Sequence, residues 1–342
     1  MRGFALTLCL VTAVVARPRA ADEDGANRRP VRVVADQRMT VATAAGQGVL
    51  PLYLSRDWER PLPDVTRAVL VIHGRLRNAD VYWRSAKAAA AAAGPAAGTT
   101  LLIVPQFLAS IDIGARALNP DTLHWSQERW MGGEPAQGPA PLSSFDALDA
   151  IVARLADRAR FPNLREIVVA GHSGGAQVVQ RYAVLNHSGA ALAQAGTALR
   201  YVVANPSSYA YFDALRPEAG GFAPYPATEC PGFNDWKYGL QKLPPYAPGV
   251  PDIALEARYA SRRVIYLLGQ DDTNPNHPAL DKTCMAEAQG PYRLARGRAY
   301  VAYLRGRHVQ SLNQALVEVP GVGHDGDAML TSPGGLAALF GP

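Results

Sequence analysis

The sequence predicts an α/β fold, a mostly parallel twisted sheet with helices on both faces. Short apolar runs recur at 68–72, 101–104, 167–170, 201–204, 264–268 and 315–319. They are mostly continuous rather than alternating, the pattern of strands covered on both faces. Segments of helical period separate them, and strand–helix alternation is the mark of a parallel sheet. The chain has 342 residues, 48% hydrophobic and 18% charged, enough for one large core and too apolar for a disordered chain.

Taken in order, residues 1–20 read as a secretory signal. Arg2 supplies the positive start, 4–15 is an apolar run, and Val14 with Ala16, or Ala20, suits small-residue cleavage. The run is too short to span a membrane comfortably. Residues 21–30 are polar and predict a flexible leader, and 31–342 form the folded domain. Alternating segments around Val33 and Tyr53 suit antiparallel strands at one sheet edge. The alanines at 88–93 favour a helix, since alanine has the highest helix propensity.

Ser144 is placed to cap a helix that buries Phe145, Leu148, Ile151, Val152 and Leu155. A second helix follows Ser173, with Val178, Val179 and Tyr182 on one face. A third begins at Pro291 and runs to about residue 307. Residues 206–260 are rich in Pro, Tyr and Gly without a strand period, and predict a cap inserted between two core strands.

Of 34 basic residues, Arg2, Arg17 and Arg19 lie in 1–20, against 29 acidic residues in all. The remainder is close to neutral, which argues against nucleic acid or an anionic membrane as partner. Cys9 leaves with the signal, so Cys230 and Cys284 remain. In an oxidising compartment they predict a disulfide, with two buried thiols as the alternative. The expected location is therefore periplasmic or secreted, with no stable membrane insertion after cleavage. The sequence does not set the oligomeric state.

The chemistry centres on Gly171-His172-Ser173-Gly174-Gly175, directly after an apolar run and before a helix. Glycines flank the serine because side chains there would collide with neighbouring backbone in the tight strand-to-helix turn. A serine hydroxyl needs a base, and the base needs an orienting carboxylate. Gly269-Gln270-Asp271-Asp272 ends one downstream run and Gly323-His324 follows the next. Ser173, Asp272 and His324 are the candidate catalytic residues, with Asp271 the alternative acid. The candidate oxyanion donors are the N–H of Gly174 and that of Arg75, after His73-Gly74, with Leu76 second. All these segments fall at carboxyl ends of expected strands, where open α/β sheets place their sites.

These motifs, in this order over most of residues 65–342, resemble those of the α/β hydrolases, the superfamily of esterases, lipases and some peptidases. The resemblance implies a serine hydrolase. It favours Asp272, third after Gly269, as the acid. A carboxylic-ester hydrolase acting on a small molecule is expected first. A peptidase or amidase on the same triad and a retired binding protein are the alternatives.

No cofactor or metal is expected. Asp272-x-Asn274-x-Asn276 opens like a calcium loop, but His277 stands for its glycine and Thr283 for its glutamate. Trp125, Trp130 and Trp236 are the candidate substrate-binding aromatics, with packing as the other reading. Arg293, Arg296, Arg298, Arg305 and Arg307 read as a solvated basic helix face. Arg75 and Arg77 offer a substrate contact or a structural ion pair.

Overall fold

The computed structural model describes residue 25, residues 27–247 and residues 249–342. The signal at 1–20 and most of the leader lie outside the described residues. Eight strands form one sheet. They are β1 (Gln37–Thr43), β2 (Gly46–Leu54), β3 (Arg67–Ile72), β4 (Thr100–Pro105), β5 (Glu166–His172), β6 (Ala198–Ala204), β7 (Arg263–Gly269) and β8 (Gln314–Val319). Their spatial order is β1-β2-β4-β3-β5-β6-β7-β8. The β1–β2 and β2–β4 pairs are antiparallel and every other pair is parallel, as the apolar runs and the alternating edge predict.

Alternation within each buried strand divides the core into two layers. In β3 and β5, Val69, Val71, Val168 and Ala170 face α1 (Ala79–Ala93) and the C-terminal helix Pro333–Phe340. Leu70, Ile72, Ile167 and Val169 share the other layer with α2 (Ser144–Leu155), α3 (Gly174–Leu185), α4 (Asp252–Ser261) and α5 (Arg293–Arg307). Each large aliphatic side chain fully buried here contributes about 1.5–3 kcal/mol relative to exposure.

Four expectations shift. The cap of α2 is Ser143 rather than Ser144. Its hydroxyl accepts from the Phe145 amide, and Asp146 accepts from the Ser143 amide in return. Ser144 instead donates to the Trp130 carbonyl. The third helix starts at Arg293, two residues past Pro291.

The irregular segment ends near residue 251, because α4 is a core helix: Leu255 and Tyr259 are fully buried. The segment itself holds one small hairpin, Leu215–Glu218 with Gly221–Pro224. Finally, the described end of the leader is fastened rather than free. Arg77 donates to the Asn27 and Arg29 carbonyls, and the Val31 amide donates to Asp112. Cys230 and Cys284 form a disulfide that ties the irregular segment to the loop after β7.

Candidate active site

Ser173 stands between β5 and α3 at φ 58° and ψ −119°, a backbone region that costs a non-glycine residue strain. The two outer glycines make the turn possible. A Cβ on Gly171 would lie 2.4 Å from the Gly175 carbonyl carbon, and one on Gly175 would lie 2.2 Å from the Ile72 oxygen. The turn thus brings the start of α3 against the end of β3.

That contact also brings the two candidate oxyanion amides together. A Cβ on Gly174 would lie 2.9 Å from the Arg75 backbone nitrogen, so the two peptide units adjoin beside Ser173. The loop that carries Arg75 is locked from behind. His73 Nε2 accepts from the Phe107 amide (2.9 Å), which leaves Nδ1–H to donate to the Gly74 carbonyl (2.8 Å). Burial pushes the His73 pKa down to about 4, in keeping with this neutral tautomer. Arg77 makes a buried ion pair with Asp112, so it is structural.

His324 Nε2 lies 2.9 Å from Ser173 Oγ, and His324 Nδ1 lies 2.8 Å from Asp272 Oδ2. The three side chains come from the ends of β5 and β7 and the loop after β8. Asn205, at the end of β6, clamps the last two together. Its Oδ1 accepts from the Gly269 amide (2.8 Å) and its Nδ2 donates to the Gly323 carbonyl (3.1 Å). Asp271 does not pair with His324; its amide bonds the Val322 carbonyl.

Arg293 is fully buried behind Asp272. It donates to Asp272 Oδ1 (3.3 Å) and to Ser207 Oγ (3.0 Å). Burial first, then Arg293, His277 and Arg75, hold the His324 pKa well below that of an ordinary histidine. The ring is therefore neutral at neutral pH, and its free nitrogen can accept a proton from Ser173.

Two further histidines flank it. His172 lies ring to ring at 4.7 Å, with its Nδ1 3.1 Å from Tyr82 Oη, and His277 lies edge-on at 5.0 Å. His277 is thus beside the site.

A cleft of 250 Å³ opens over Ser173, with Gly174, Gln177, Lys237 and Tyr238 among its walls. A smaller one of 130 Å³ adjoins on the His324 side. The tryptophans do not line either. Trp125 and Trp130 are completely buried with Phe107, and Trp236 is turned away to donate its indole N–H to the Gly132 carbonyl (2.6 Å). Their bulk and apolar surface place them in packing roles. Tyr209 and Tyr211 are likewise core, packed on Tyr300 at 4.5 and 5.1 Å.

The basic helix also differs from its expectation. Arg293 and Arg296 are buried, while Arg298 pairs with Glu318 and Arg307 with Glu256. Neither Arg293 nor Asn205 carried a sequence signal, since residue type alone does not show burial. Among the described residues, no cluster of three or more His, Cys, Asp or Glu is placed to hold a metal ion. No helix among them is long and apolar enough to cross a membrane.

A mostly parallel eight-stranded sheet with helices on both faces is the architecture of the α/β hydrolases. Residues 104–339 match the model of the alpha/beta hydrolase family, and the chain belongs to that family. Among solved structures it is similar to a poly(3-hydroxybutyrate) depolymerase from Bordetella parapertussis. Identity is 23% over 86% of each chain, with a TM-score of 0.57. A poly(aspartic acid) hydrolase from Sphingomonas is similar at 22% identity, over 88% of this chain and 96% of that one, also with a TM-score of 0.57. These likenesses speak for the fold. No curated protein matches the sequence.

Proposed function

We propose that the protein is an exported serine hydrolase that cleaves carboxylic esters through an acyl-enzyme. The observation that carries this reading is the continuous relay from Ser173 Oγ through His324 to Asp272, at 2.9 and 2.8 Å. In this mechanism His324 Nε2 takes the Ser173 proton as Oγ attacks the ester carbonyl. The amides of Gly174 and Arg75 stabilise the oxyanion. Asp272 orients the ring and stabilises its imidazolium. The C–O bond then breaks, and His324 returns the proton to the leaving alcohol. Water, activated by the same histidine, releases the acid and restores Ser173.

Export rests on the signal pattern of 1–20, with the Cys230–Cys284 disulfide as support. The irregular segment acts as a wall of the cleft through Lys237 and Tyr238. The names of the two fold relatives cover an ester polymer and a polyamide, so the fold does not choose the bond. An ester is preferred because its alkoxide leaves with less acid assistance than an amine needs.

A fluorophosphonate probe tests the nucleophile. The folded mature protein is expected to be labelled at Ser173, located by mass spectrometry, with no labelling of Ser173→Ala. Folded wild type that resists the probe would overturn the reading and revive a binding role.

A further inference from the structure

We propose that the Ser173 cleft selects esters that carry a carboxylate, and that the Lys237 ammonium binds that carboxylate. This deepens the serine-hydrolase reading and rests on it.

Lys237 lies on the irregular segment, and the backbone around it is pinned. Its carbonyl accepts from buried Arg181 Nε (3.3 Å), and the neighbouring Trp236 indole bonds to Gly132. Lys237 lines both the Ser173 cleft and an adjoining cleft of 410 Å³. Among the described residues the ammonium has no hydrogen-bond or ion-pair partner; it lies over the Tyr238 ring, 5.9 Å from its centroid. Lys242, on the same segment, instead pairs with Asp235 at 2.6 Å.

The charged groups facing Lys237 are Arg181, Asp281, Glu128 and Glu134. Each carboxylate also has hydrogen-bond or ion-pair partners of its own, although Lys237 still helps to lower the Asp281 pKa. Asp281 accepts from Tyr238 Oη (2.8 Å) and Thr283 Oγ1 (2.7 Å). Glu128 accepts from Asn27 Nδ2 (2.7 Å) and faces Arg75 at 3.8 Å. Glu134 pairs with Arg129.

Arg181 spends its donors on Met131, Gln177 and Ser208. Burial, then Arg181, lowers the Lys237 pKa, and Asp281, Glu128 and Glu134 offset that cost only in part. An incoming carboxylate offsets it with a charge-assisted hydrogen bond. Arg75 and exposed Lys282 add positive charge to the same wall, against the carboxylates of Glu128 and Asp281, and Met131, Ala279 and Leu280 add its few aliphatic side chains. That lining suits an anionic substrate better than a long aliphatic acyl chain.

The test uses the full mature chain as Ser173→Ala, so that bound esters are not consumed. Two probe pairs are titrated by calorimetry. Monomethyl glutarate against dimethyl glutarate places the carboxylate on the acyl side. O-acetyl-3-hydroxybutyrate against its methyl ester places it on the alcohol side.

At least one anionic probe is expected to bind about tenfold tighter than its capped form, the scale of one charge-assisted contact. The ratio should fall to near one when Lys237→Met is added, and Lys237→Arg should keep most of it. Lys237→Gln replaces the methionine variant if that fails to fold. No preference in either pair, or a preference that survives loss of the ammonium, overturns the proposal. With Ser173 still labelled by the phosphonate, such a result removes the selectivity alone. An unlabelled Ser173 removes the hydrolase reading, and the substrate proposal with it.

Discussion

Arg293 stands one side chain behind the proposed base and touches neither the cleft nor the nucleophile. One Asp272 oxygen accepts from it while the other faces His324, so the carboxylate is held at both ends. Its positive charge, after burial, also depresses the His324 pKa. Replacing it by methionine removes that depression, so the His324 pKa rises and the acidic limb of kcat/KM moves to higher pH. The same change strips a buried carboxylate of a partner, at a cost of about 3–5 kcal/mol. A pH–rate profile beside urea melts checks both effects. A limb that stays in place while stability falls would make Arg293 structural only. The contrast with Ser173 explains what could be read. Ser173, His324 and Asp272 sit in short stretches whose glycines and strand ends announce a turn. Arg293 sits among arginines spaced as on a solvated face, and its burial depends on a contact with a residue 21 positions away.

At the scale of elements, the strands were legible because each must be apolar on both faces to lie inside the sheet. The segment before α4 was not, because side chains rather than a ladder hold it. Arg216 alone donates to the carbonyls of Asp213, Leu215, Phe233 and Tyr238 and packs over the Tyr211 ring at 4.4 Å. No period in the sequence encodes such a hub. The Cys230–Cys284 disulfide adds the other fastening, across a sequence separation of 54. Chain entropy assigns a closure of that length about 4 kcal/mol. The Cys230→Ala/Cys284→Ala variant should lose stability on that scale in urea melts. Its KM should rise more than its kcat falls, because the bond joins the Tyr238 side of the cleft to the Asp281 side. A variant as stable as the parent would show that Arg216 and the Tyr238–Asp281 contact suffice.

Across the whole molecule, the site end of the sheet concentrates buried histidines, and this sets how acid acts on the fold. His73 under the Arg75 loop, His172 in the elbow and His324 all have pKa values depressed first by burial. In the unfolded chain each titrates near 6.5. As pH falls below that value, the unfolded chain binds protons that the native state refuses, so stability drops. The loss reaches about 1.4 kcal/mol per pH unit for each histidine. His73, lowered from 6.5 to about 4, accounts for about 3 kcal/mol by the acid end. Carboxylates such as Asp281 and Glu318, whose pKa values are also lowered, lose their contribution only below about 4, so the two windows separate. Urea midpoints measured between pH 7.5 and 4.5 should therefore fall steadily, with little change above 7. In His73→Gln the starting stability drops, but the slope should flatten by about one histidine's share. A slope unchanged by that substitution would assign the acid sensitivity elsewhere. The argument ties function to fold: desolvation that keeps His324 neutral and able to accept a proton is the same desolvation that makes this end of the sheet give way in acid.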